Sequence, residues 1–217
     1  MIRESFSDVT VQRFNDSGLP EKTCRWPDSN RHGPFTAQRI LSLVAIFGPP
    51  ELLFCDDMDT ESCDFVCANF RSRKLAFVHA KCAHSKRSAS ALHDVVAQAI
   101  KNLNVSTPAS EVPSKLEKWT RSEKWNNTKI ARWRIGSNRL PEREALWSKI
   151  RSEILDHSQG QKEIWLVLGD TLEKADLMNR IKGTKPRTAE TGQIIYLLSN
   201  LNALCRQVGA TLRVLCH

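Results

Sequence analysis

The sequence lacks the features by which several large classes of protein are identified. It has no run near the roughly 18 apolar residues of a membrane-spanning helix, so we expect no membrane partner. It has no GxxxxGK[ST], GxGxxG, GxSxG or HExxH pattern, so the nucleotide-binding and hydrolase sites that they mark are not indicated. Its first residues, MIRESFSDVTVQRF, lack the apolar segment of a secretory signal, and we therefore expect a cytoplasmic protein.

Paired cysteines are also lacking. The seven cysteines are an odd number, and no two of them have CxxC spacing. His84 and His93 follow Cys82, but their spacing does not match a zinc site. Because most of the cysteines lie in or beside apolar runs, we predict reduced and buried thiols.

The composition is otherwise that of a globular protein with a basic surface. Of the 217 residues, 41% are apolar and 26% are charged, which suits one domain with an extension. The formal net charge is +8. A basic excess favours polyanionic partners, nucleic acid first among them.

The alternation of apolar patterns predicts an α/β domain. Residues 1–35 are polar and interrupted by proline and glycine, which indicates an N-terminal extension, and residues 36–217 form the domain. Helical and strand-like patterns alternate along the domain, so we expect a mixed central sheet flanked by helices. The predicted order is helix 36–47, strand 51–57, two strands within 61–82, helix 88–103, a basic tryptophan-containing insert at about 104–140, helix 140–157, strand 162–170, a short and a long helix ending at Gly209, and a last strand.

The segment ESCDFVCANFRSRKLAFVHAKC, residues 61–82, predicts a hairpin with a polar end. If the turn centres between Arg71 and Ser72, Asp64 lies opposite His79. Strand side chains alternate between faces, so Lys81 would share the face of Asp64 and His79. The other face would carry core residues, namely Cys63, Phe65 and Cys67 against Ala76, Val78 and Ala80. Since unpaired buried charge is costly, the polar end requires an explanation.

This pattern resembles the PD-(D/E)XK nuclease superfamily, the restriction-endonuclease-like fold. The resemblance implies an αβββαβ core, with a metal-binding Asp at the start of one strand and an acidic residue, any residue and Lys on the next. Asp64 and Lys81 match the Asp and the Lys, and His79 stands where the acidic residue is expected. Gln98 lies on the next helix, where some branches add a Gln to the site. The resemblance covers about residues 36–105, and the last two strands would complete the sheet.

The implied function is metal-dependent hydrolysis of DNA phosphodiester bonds, in restriction or phage defence. The implied catalytic residues are Asp64, His79, Lys81 and Gln98, and the implied ligands of Mg²⁺ or Mn²⁺ are Asp57, Glu61, Asp64 and His79. The metal would be held by oxygen ligands, and Lys81 would orient the attacking water or lower its pKa. A histidine suits Mn²⁺ better than Mg²⁺, or it acts as a base.

The polar end of the hairpin and the basic insert each allow a structural explanation as well. In the hairpin, Asp64 and Lys81 would form an ion pair at a strand end, and His79 would be a half-buried residue. The insert interleaves cations with tryptophans, which predicts nucleic-acid contacts through Lys129, Arg132 and Arg134, with Lys86 and Arg87 after the hairpin. Alternatively, the tryptophans anchor a subdomain and the cations are solvated.

Other functions remain open on the sequence alone. The histidine in the acidic position favours a catalytically inactive nuclease-fold module that binds nucleic acid or a partner protein. The proline-rich extension would suit a domain of a larger defence or helicase assembly. The choice of DNA over RNA and the oligomeric state, a homodimer included, are not decided by the sequence.

Overall fold

The structure is a computed structural model that describes residues 10–13, 47–56, 62–81, 89–107, 124, 131–136, 143–168 and 171–216. Four helices and seven strands are assigned in these residues. The strands are β1 Thr10–Arg13, β2 Leu52–Cys55, β3 Phe65–Asn69, β4 Lys74–Ala80, β5 Trp133–Ile135, β6 Gln161–Val167 and β7 Ala210–Cys216. The helices are α1 Ala89–Lys101, α2 Arg143–Ile150, α3 Lys174–Lys182 and α4 Ala189–Gln207.

The strands from β2 to β7 form one mixed open sheet, and β1 extends it beside β7. The strand order is β1-β7-β6-β4-β3-β2-β5. The strands β4, β6, β7 and β1 are mutually parallel, whereas β3 is antiparallel to both of its neighbours and β5 is antiparallel to β2. The predicted α/β class with a mixed sheet is therefore confirmed. The carboxyl ends of β4, β6 and β7 share one edge of the sheet, which we call the carboxyl edge.

The hairpin of β3 and β4 has the predicted register. Phe65 lies opposite Val78 and Asn69 lies opposite Lys74, so the turn centres between Arg71 and Ser72. The Asn69 side chain accepts a hydrogen bond from the Ser72 N–H at 2.9 Å, which closes the turn. A short turn and a period-two apolar pattern together fix register, because a slip by one residue would turn every side chain to the wrong face.

Both faces of the sheet are buried. The larger cluster contains Leu75 and Phe77 together with apolar residues of all four helices. The smaller cluster contains Ala76 and Val78 on the opposite face. The prediction that Cys63 packs with Phe65 is wrong, because Cys63 belongs to the larger cluster and Phe65 to the smaller one. Cys63 precedes β3 and so does not follow the alternation of the strand.

The helices follow from their apolar stripes and their end residues. In α1 the buried residues Leu92, Val95, Val96 and Ala99 repeat at helical spacing, as the sequence predicts. In α4 the Thr188 side chain caps the first turn by accepting from the Thr191 N–H at 3.2 Å. Gly209, with φ of 68°, turns the chain from α4 into β7. None of the helices in the described residues is long and apolar enough to cross a membrane.

Two short strands lie in segments that the sequence did not assign to the sheet. β1 lies within the predicted extension, and β5 lies within the predicted insert. Trp133 of β5 is buried and its ring lies 4.6 Å from that of Phe54, so this tryptophan is a core residue. The five described cysteines are buried, as predicted, namely Cys55, Cys63, Cys67, Cys205 and Cys216.

Candidate functional site

Asp64 lies where β3 begins, at the carboxyl edge beside β4. Its N–H donates to the Val78 carbonyl at 2.9 Å. Its carboxylate oxygen Oδ2 accepts from the Ala80 N–H at 2.6 Å, and the residue is 6% exposed. The carboxylate thus accepts the hydrogen bond that a backbone carbonyl would accept if the pairing of β3 with β4 continued past Asp64. The site therefore contains a buried carboxylate whose position is fixed by β4.

His79 lies on β4 and is buried. It is 1% exposed, and its neighbour on β6 is Leu166. Burial lowers the pKa of His79 from 6.5 to about 4, so the imidazole is neutral at physiological pH. Among the described residues, its Nδ1 atom has no hydrogen-bond partner. A neutral imidazole with an available ring nitrogen is the form that binds a metal or accepts a proton.

Lys81 follows the end of β4, and its side chain is 40% exposed. Its N–H donates to the Val167 carbonyl at 2.8 Å, which fixes its backbone to β6. Its ammonium Nζ lies 3.5 Å from the Asp94 carboxylate on α1. The described partner of Lys81 is thus Asp94, whereas the structural explanation paired Lys81 with Asp64. An exposed ion pair of this kind contributes little to stability, so both groups can turn toward a ligand.

Gln98 lies one helical turn after Asp94 on α1, so the two residues share a side of the helix. It is half-buried, and its carbonyl accepts from the Asn102 side chain at 3.1 Å. Gln98 therefore follows the residue that contacts Lys81 by one helical turn, and its role in the site stays a prediction.

Arg132 is not a surface cation, and its predicted role in binding nucleic acid is wrong for this reason. Its side chain is fully buried, and its Nε donates to the Cys55 carbonyl at 2.9 Å. Its guanidinium lies 4.5 Å from the centre of the Phe54 ring and 3.8 Å from the Asp56 carboxylate. Arg132 joins β2 to the start of β5.

Arg134 is exposed on the edge strand β5, where a nucleic-acid contact remains a prediction. Burial of part of its side chain lowers its pKa, while the nearby Cys55 acts in the opposite direction. The other predicted contacts, Lys86, Arg87 and Lys129, lie outside the described residues, as do Asp57 and Glu61.

The described residues contain only part of the predicted metal site. Within them, no group of three or more His, Cys, Asp or Glu side chains is arranged to hold an ion. Asp64 and His79 are the two described members of the predicted ligand set. A divalent ion that prefers oxygen would need a further carboxylate beside them.

Asp56 contacts both Asp64 and Ser62 through hydrogen bonds. The Asp56 N–H donates to the Asp64 carbonyl at 2.9 Å, and the Asp56 carboxylate accepts from the Ser62 N–H at 3.0 Å. In the sequence, the predicted ligands Asp57 and Glu61 are the residues directly after Asp56 and directly before Ser62.

Sequence reasoning missed the contacts of two acidic residues of this region. Asp94, which contacts Lys81, lies on the polar side of an ordinary amphipathic helix. Asp56 is 2% exposed and contacts Arg132, which lies far from it in the sequence. No local pattern in the sequence indicates either pairing.

Comparisons with known proteins found no match to the chain among family models, curated proteins or solved structures.

Proposed function

We propose that the chain is a metal-dependent nuclease domain that hydrolyses DNA phosphodiester bonds. The observation that carries the proposal is the register of the β3–β4 hairpin, which extrapolates to Asp64 opposite His79 with Lys81 beyond it at the carboxyl edge. A carboxylate, a neutral imidazole and an ammonium are groups that phosphodiester hydrolysis can use. Restriction or phage defence is the proposed setting.

The order of elements supports the proposal. The described chain runs β2, β3, β4, α1 and, after β5 and α2, β6 beside β4. This order agrees with the βββαβ part of the αβββαβ core that the resemblance implies, and so supports the proposal. Ligands of open α/β sheets commonly bind outside the carboxyl ends of the strands, which is where Asp64 and Lys81 lie.

The roles follow from the geometry of each group. Asp64, fixed by the Ala80 N–H, would be an oxygen ligand, and Asp57 or Glu61 would supply a second one. A bound Mg²⁺ or Mn²⁺ would supply positive charge against the phosphate. Lys81 would orient water toward the phosphate when it turns from Asp94. Gln98 would position a group on the same side of α1.

The test is cleavage of plasmid DNA with Mg²⁺ or Mn²⁺, comparing wild type with Lys81→Ala. We expect a rate loss of about 100-fold or more, typical for removal of a charged group that acts in the transition state. Lys101→Ala is the matched control, because Lys101 is an exposed lysine in the last turn of α1. Equal cleavage by wild type and Lys81→Ala would show that the site is assigned wrongly.

Metal binding gives a second readout that does not depend on cleavage. Calorimetric titration with Mn²⁺ should detect binding to the wild-type protein, and the Asp64→Asn variant should bind Mn²⁺ with lower affinity. If Mn²⁺ binds both proteins with the same affinity, Asp64 is not a ligand.

The second candidate function is an inactive module of the same fold that binds nucleic acid. The complete burial of His79, in a position where the resemblance expects a carboxylate, favours it. In that case DNA binding persists in Asp64→Asn, and neither metal supports cleavage by the wild-type protein.

A further inference from the structure

The loop that joins α3 to α4 has a strongly positive sequence. Residues 177–189 contain Arg180, Lys182, Lys185 and Arg187 and no aspartate or glutamate. Residues 182–189 are all exposed. We call residues 182–188 the cationic loop.

The cationic loop is held in one conformation by hydrogen bonds to α3. Gly183, with φ of 80°, ends the helix, and the Thr184 N–H donates to the Asn179 carbonyl at 2.9 Å. The Arg187 guanidinium donates to the carbonyls of Arg180 and Ile181 at 3.1 and 3.0 Å. These bonds place a cation at the helix carboxyl end, where its dipole is negative.

One buried carboxylate pairs with two of these cations, since Asp176 lies 2.8 Å from Arg180 and 3.0 Å from Lys185. Residues 176–189 contain this carboxylate and four cations, so three positive charges are in excess on this short stretch. The Lys185 side chain is half exposed, and Lys182 is exposed at the end of α3.

The cationic loop leads into α4 at the carboxyl edge of the sheet. The Lys162 ammonium at the start of β6 donates to the carbonyl of Val208, just after α4, so that end of α4 lies at the opposite edge. The first turn of α4 contacts α1, because the Glu190 carboxylate accepts from the Ala89 N–H at 3.2 Å. Asp94, the partner of Lys81, lies about 7.5 Å farther along α1 at the usual helical rise.

We propose that the cationic loop binds the phosphate backbone of a nucleic acid beside the site at Lys81. For the identity of the polyanion, this inference rests on the proposed function. Because hydrogen bonds to α3 hold the loop backbone, little backbone entropy is lost when its cations meet phosphates, and each contact releases condensed counterions. The loop sequence KGTKPRT offers no large apolar side chain for insertion into a membrane, which favours nucleic acid over an anionic lipid surface.

The test measures binding to a labelled random-sequence DNA duplex in EDTA, so that no cleavage occurs. The loop variant is Lys182→Ala/Lys185→Ala, and the control variant is Lys101→Ala/Lys149→Ala. Each variant removes one exposed lysine at a helix end and one lysine that pairs with a carboxylate, since Lys149 lies 3.8 Å from Glu153. Lys149 also lies over the ring of Phe70, in the turn at the other edge of the sheet.

We expect the loop variant to bind about tenfold or more weakly at 0.1 M salt, with the slope of log affinity against log salt reduced by about 1.8. The control variant should keep the wild-type slope. An unchanged slope in the loop variant would overturn the inference, as would loop-dependent binding to anionic vesicles with no binding to DNA. Loop-dependent DNA binding without cleavage in Mg²⁺ or Mn²⁺ would refute the nuclease and leave the loop assignment standing. If the protein cleaves DNA but neither cleavage nor DNA binding depends on the loop, the loop assignment is refuted and the nuclease proposal stands.

Discussion

Two substitutions of Asp64 can distinguish a catalytic role of this residue from a structural one. Its carboxylate accepts a 2.6 Å hydrogen bond from the Ala80 N–H in a buried position, so replacing Asp64 by alanine also removes an acceptor. A loss of activity in Asp64→Ala alone would therefore be ambiguous. Asp64→Asn keeps an oxygen acceptor of nearly the same shape for the Ala80 N–H, removes the negative charge and replaces the other oxygen by an NH₂ donor.

The two substitutions should differ in stability and agree in activity. A buried N–H that loses a charged acceptor costs about 2 kcal/mol, so Asp64→Ala should unfold at lower urea concentration than wild type. Asp64→Asn should lose about 1 kcal/mol or less, because the acceptor is retained. If Asp64 holds a metal ion, both variants should lose cleavage to the same extent, because both lack the charge.

Urea unfolding and plasmid cleavage measured on the same preparations decide between the explanations. If Asp64→Asn cleaves DNA at the wild-type rate, the negative charge is not used and Asp64 only terminates the ladder with β4. If Asp64→Ala is as stable as wild type, the bond to Ala80 contributes no stability and the structural argument is wrong.

Two further predictions concern buried residues. His79 has a folded pKa of about 4 against 6.5 unfolded, so its contribution is complete above pH 6.5 and is lost as pH falls from 6.5 to 4. In metal-free buffer, wild type should therefore lose about 2 kcal/mol more than His79→Leu between pH 7 and pH 5. Arg132→Met should destabilise the protein in urea by about 1–3 kcal/mol and leave DNA affinity unchanged, because Arg132 is buried. Weaker DNA binding by folded Arg132→Met would contradict its placement in the core.

Local patterns predicted the elements that have strong local signals. The α1 stripe and the β3–β4 register depend on residues close in sequence, and both were predicted correctly. The three residues of β5 are too few to establish an alternation, and only pairing with β2 makes them a strand. β1 likewise depends on β7, from which it is separated by most of the chain.

The site was predictable only in its hairpin part. Asp64 and His79 could be placed opposite one another because a turn of known length fixes their register. Lys81 was placed on the second strand of the hairpin and lies directly after its end, but its contact with Asp94 arises from the packing of α1 on the sheet, which sequence periodicity does not specify in detail. Contacts between elements could therefore be identified only from the structure.

Arg132 shows why charge patterning misleads where a strand is short. Its neighbours in sequence include other cations and tryptophans, which is typical of a surface that binds nucleic acid. Its position before Trp133 on a strand that pairs with β2 turns the side chain toward Phe54 and Asp56 instead. The cationic loop is the opposite case, since its charges follow a helix end and remain exposed, although Lys185 pairs with Asp176. Whether a basic residue belongs to a binding surface is therefore better judged from the exposure that its local backbone gives the side chain than from the density of basic residues in the sequence. By that criterion, the proposal of a phosphate-binding surface is better supported for the α3–α4 connection than for Arg132.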